Sequence, residues 1–109
     1  MTTSKRPAPK RITQQTMNRL FNEAGYWNQA QRGELLEVVI ADGHPSSPLA
    51  GEPVCTRSQI VEYWTTDRQK VAIVHQYLRQ DGTIGLSGRP EPKALLVGGT
   101  LYRALEPEK

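Results

Sequence analysis

The sequence predicts an α+β domain: an N-terminal helix packed on a mainly antiparallel four- to five-stranded sheet, with a short irregular helix before the last strand. Three observations carry this expectation. Met17, Leu20, Phe21 and Ala24 recur at helical spacing in residues 12–24. Residues 34–41, 58–65 and 71–79 are rich in β-branched and aromatic side chains and are bounded by turn residues. No strand alternates with a long helix, which argues against a doubly wound parallel sheet.

Residues 1–11 contain two prolines and four bases and are otherwise small, polar or Met, so they are expected to form a solvated, flexible arm. Thr13 is a plausible N-cap for the helix over 12–24, and Gly25 suits the left-handed position that ends it. Tyr26 and Trp27 then supply aromatic area for the seam between helix and sheet. The first strand is ELLEVVIA at 34–41. Residues 42–53 hold three prolines and several glycines and serines, which predicts a long loop.

Residues 58–65 and 71–79 are joined by a short polar link and form the natural hairpin. Alternation puts Ile60, Glu62 and Trp64 on one face of the first strand, and Gln59, Val61, Tyr63 and Thr65 on the other. On the second strand, Ala72, Val74, Gln76 and Leu78 form the core face. Val71, Ile73, His75, Tyr77 and Arg79 form a face that changes from aliphatic to polar along its length. Asp81-Gly82 turns the chain, and residues 83–86 are expected to pair briefly. Pro92 is placed to start a helical turn over 93–96, and residues 100–105 make the last strand. The domain is thus expected over 12–105, between the arm at 1–11 and a polar end at 106–109.

The 109-residue length suits one domain, and a charged fraction of 23% with 37% hydrophobic residues suits a folded, polar chain. No run is apolar enough to span a bilayer, so no membrane is expected as a partner. The basic start lacks the apolar stretch of a secretory signal, and the single Cys55 excludes an internal disulfide. A cytoplasmic location is the simplest expectation. The net charge of +3 is unevenly spread: Lys5, Arg6, Lys10 and Arg11 precede a remainder of ten basic and eleven acidic side chains.

One cysteine and two histidines show no zinc-ligand spacing. Gly82, Gly85 and Gly88 lack the lysine and following helix of a phosphate loop, so no metal or cofactor is expected. Cys55 is expected to be a small buried hydrophobe.

Two functional classes remain. The first is a small interaction or accessory protein that docks on a protein or nucleoprotein, with contact to nucleic acid through Lys5, Arg6, Lys10 and Arg11. Each such cation that neutralises a phosphate releases counterions and adds sequence-blind affinity. The second is a metal-free ribonuclease. It would draw on His75, Tyr77 and Arg79 from one strand face, with Glu62 from the neighbouring strand and Arg103 from the last. A helix ahead of an antiparallel sheet that exposes a histidine and arginines resembles the layout of small bacterial ribonuclease toxins of the barnase and RelE type. The resemblance is one of layout. No motif of those toxins overlies these residues, so it assigns no catalytic role. The plainer account of His75 is a strand histidine with a hydrogen-bonded partner.

Overall fold

A computed structural model of the chain describes residues 8–45, 51–85 and 88–105. It is an α+β fold with two helices and a six-stranded mixed sheet. The elements in chain order are β1 (Lys10–Ile12), α1 (Gln14–Ala24), α2 (Tyr26–Gln31), β2 (Leu36–Pro45), β3 (Arg57–Trp64), β4 (Lys70–Leu78), β5 (Glu91–Val97) and β6 (Thr100–Ala104). The strands lie side by side as β1-β6-β5-β4-β3-β2. From β2 to β6 the sheet is an antiparallel meander, while β1 joins the far edge parallel to β6.

Helix α1 starts at Thr13, whose hydroxyl accepts from the Thr16 backbone N–H at 3.1 Å, satisfying one of the orphan donors of the first turn. It ends at Gly25, in the left-handed conformation with φ of 74°. The same glycine opens α2. Met17 and Phe21 on α1 pack with Val61, Tyr63, Val74 and Leu95 into the core, and Tyr26 and Trp27 of α2 border it. The Tyr26 hydroxyl donates to the Leu96 carbonyl at 2.5 Å, tying α2 to β5.

Both helices therefore cover one face of the sheet. Cross-strand pairing puts Val61 with Val74, Tyr63 with Ala72, and Ala72 with Leu95 on that face. The opposite face carries Ile60 beside His75, Glu62 beside Ile73, Ile73 beside Ala94, and Ala94 beside Arg103. Among the described residues neither helix covers this second face, which is called the open face below.

Four expectations are corrected. Lys10 and Arg11 are strand residues, because the β6 edge offers ladder partners to a chain that composition alone marks as a solvated arm. The sheet has six strands, not four or five. Residues 93–96 form part of β5 and not a helical turn. A register shift beside Val74 accommodates Pro92, which lacks the N–H a regular ladder needs, and the paired β4 and β6 supply the rest. Val71 is buried with Ala72, because the ladder slips by one residue between Tyr63 and Trp64 and turns Val71 inward. Strand β2 also runs on to Pro45, shortening the expected loop, of which residues 46–50 lie outside the described part. Ile84 forms a single bridge to Leu78.

Candidate nucleic-acid interface and histidine site

The open face has two chemically distinct regions. One is built by the β1–β6 edge and the β3–β4 hairpin. Arg11 and Arg103 are register partners on adjacent strands, so two guanidinium side chains leave the sheet side by side. Neither has an ion-pair partner among the described residues, and both are exposed. Two like charges rooted about 5 Å apart repel each other, and a counter-ion between them relieves that repulsion. At the opposite end of the same region, Thr65 to Gln69 make the hairpin turn, with the Thr65 N–H donating to the Gln69 carbonyl at 2.8 Å. Arg68 at its tip is held at φ of 69°, a left-handed conformation favoured by glycine.

Between these ends runs a groove of about 810 Å³. Lys10, Arg68, Lys70 and Arg103 line it, and no acidic side chain among the described residues does. Its floor is apolar, with Ile73, Leu96 and Leu101. Trp64 stands in its wall. The indole N–H donates to Glu62 at 3.0 Å, and the Lys70 ammonium lies 5.7 Å from the ring centroid. Glu62 also accepts from Lys70 at 3.2 Å.

The second region surrounds His75, in mid β4. Its Nε2 shares a hydrogen bond of 2.7 Å with the Ser58 hydroxyl on β3. The Tyr77 ring meets the imidazole edge-on, with centroids 4.8 Å apart. Glu91 is the register partner of His75 on β5 and is paired with Lys93. Burial holds the imidazole below its ordinary pKa, and the Lys93 ammonium adds to this while Glu91 opposes it. His75 therefore favours its neutral form, which can accept a proton. On the helix side of the sheet, residues 75–77 of β4 also border a cleft of about 370 Å³ with Phe21 and Asn22 of α1 and with Arg89, whose guanidinium donates to the Asn22 amide oxygen at 2.9 Å.

Of the residues expected to cleave RNA, His75 and Tyr77 come together. Glu62 shares their face, but its carboxylate is taken by Lys70 and Trp64. Arg79 lies beyond the end of β4 and pairs with Glu52 at 2.8 Å. Arg103 is two strands from β4 and pairs through Ala94 across to Ile73, two rows away from His75. Of the expected phosphate-contacting residues, Lys10 lines the groove, Arg11 lies on the same edge strand beside Arg103, and Lys5 and Arg6 lie outside the described residues. Ser58, Glu91 and Lys93 did not figure in the sequence reading. Ser58 was legible from period two, since it shares a face with Ile60 and Glu62, whereas Glu91 and Lys93 were obscured by the flanking prolines. Cys55 is exposed and not buried, at φ of 73° in the turn before β3. No helix among the described residues is long and apolar enough to cross a membrane. No protein-family model, curated protein or solved structure matches the chain.

Proposed function

We propose that the protein is a small interaction protein that contacts nucleic acid through its basic N-terminal segment and the sheet edge that receives it. The supporting observation is the Arg11–Arg103 couple, which has no ion-pair partner among the described residues, with Lys10 on the same edge. Folding places like charges together there with no acid paired to them among the described residues, an arrangement that an anionic backbone relieves. Lys5 and Arg6 precede this edge in the chain and extend the same run of positive charge.

A gel shift with labelled structured RNA and duplex DNA at low salt tests the reading. Lys10→Glu/Arg11→Glu, on exposed positions, should weaken binding at least about ten-fold and flatten the salt dependence. Absence of any shift with the unmodified protein, or equal binding by the double variant, would sink it.

A second reading is metal-free RNA cleavage. It is favoured by the 2.7 Å contact between His75 and Ser58 on the same face as the groove. In that reading neutral His75 takes the proton of the 2′-hydroxyl as its oxygen bonds to phosphorus, the bond from phosphorus to the 5′-oxygen breaks, that oxygen leaves with a proton from water, and a cation on the open face meets the phosphate charge. The same gel separates the two. RNA cut by the unmodified protein and left whole by His75→Ala supports cleavage, while a shift without cutting removes it.

A further inference from the structure

We infer that the groove on the open face binds a single-stranded segment of nucleic acid, with a base stacked on Trp64. The inference rests on the reading that this protein contacts nucleic acid, and it names the form of the ligand and the surface that takes it.

Charge chooses an anion. The groove has four cationic residues in its lining and no acidic one among the described residues, and only Lys70 has an ion-pair partner. Shape and polarity choose a single strand over a duplex. A duplex presents phosphates and sugars outward and keeps its base faces stacked inside, so it gains little from an apolar floor of Ile73, Leu96 and Leu101. A single strand offers both a phosphate line and free base faces. Proteins that hold single strands combine a cationic track with aromatic platforms. Here the cations stand at both ends of the groove: Arg103 and Lys10 at the β1–β6 edge, Arg68 and Lys70 at the hairpin. The aromatic ring stands at the hairpin end beside Lys70, and the aliphatic floor completes the lining.

Arg68 adds a separate argument. Glycine takes the left-handed conformation at the hairpin tip freely, whereas arginine is strained there. In this proposal the strain at Arg68 is offset by a phosphate that its guanidinium meets. The Lys70 ammonium near the indole shows that the ring already holds a cation, and the ring plane can add a base.

The test uses fluorescence anisotropy of a labelled twelve-nucleotide strand, the matching duplex, and unlabelled heparin as competitor, all with the full chain. The single strand should bind more tightly than the duplex. Trp64→Ala should weaken it by about ten-fold, the scale of one lost base stack. Trp64→Phe should weaken it less. Arg68→Gly should lower the log–log salt slope by about 0.7, one phosphate contact on a single strand, with no fall in melting temperature. In Trp27→Phe, Trp64 is the sole indole, and its emission should be quenched on binding. Should Trp64→Ala not fold, the Arg68→Gly slope and this quenching decide the matter. Equal or tighter duplex binding, unquenched Trp64 emission, or displacement by heparin as effective as by the strand itself would each overturn the groove while leaving the edge contact standing. Failure of every nucleic acid to bind at low salt would remove both.

Discussion

Tyr63 lies in the core with its ring 6.2 Å from that of Phe21, and its hydroxyl has no hydrogen-bond partner among the described residues. Burial, and the nearby Glu37 carboxylate, push the phenol above its ordinary pKa. A buried hydroxyl without a partner costs more than it contributes, so Tyr63→Phe should stabilise the protein by about 1 kcal/mol. Urea melts of the two proteins check this, and a loss of stability in the variant would mean that the hydroxyl is satisfied in solution. His75 supports a prediction with a defined sign. Its imidazole is held below the ordinary value by burial first and Lys93 second. The unfolded chain therefore binds this proton at a higher pH than the folded one. The stabilising share of neutral His75 is complete above the unfolded value of about 6.5 and is lost as pH falls through it towards the folded value. Melts at several pH values should show a shallower acid decline in His75→Gln than in the unmodified protein, and parallel declines would contradict the shift.

At the scale of elements, the ends of α1 and the pairing of β3 with β4 follow from local chemistry, while β1 and β5 depend on neighbours. Thr13 and Gly25 end α1 where their side chain and backbone preferences predict. The alternation of β4 likewise identified its core face, with the exception of Val71, and that of β3 separated its two faces. Strand β5 was not legible, because Pro90 and Pro92 carry a strong local signal for a break and only β4 and β6 make a strand there. The segment before β3 is held by a comparable non-local contact. Glu52 is nearly buried, bonded to Arg79 and packed on Gly85. A methyl group at Gly85 would lie 2.6 Å from the Glu52 carboxylate. Gly85→Ala should therefore displace Glu52, break its bond to Arg79 and raise hydrogen exchange over residues 51–56. Unchanged exchange there would show that the segment is held by other contacts.

Across the whole molecule, charge is sorted over the sheet. Lys10, Arg11 and Arg103 sit at the β1–β6 edge, while Glu37 and Asp42 lie on β2 at the other. Sequence order already separated an acidic stretch at 34–52 from a basic one that follows. It did not say which bases would share a face, because that depends on strand order. The same limit applies to the histidine site. Period two put His75 and Tyr77 on one face and Ser58 on one face with Ile60 and Glu62, but Glu91 comes from a strand that the local pattern reads as a break. Glu62 and Arg79 show the converse: both carry suitable chemistry, and both are taken by other partners. By itself the sequence determined the α+β class, the capped first helix, the hairpin and the face of its second strand that packs in the core. These depend on periodicity and on backbone preferences acting over a few residues. The tertiary structure alone decided that Lys10 and Arg11 enter the sheet, that Arg11 meets Arg103, and that Trp64 stands in a cationic groove, because each depends on long-range strand pairing.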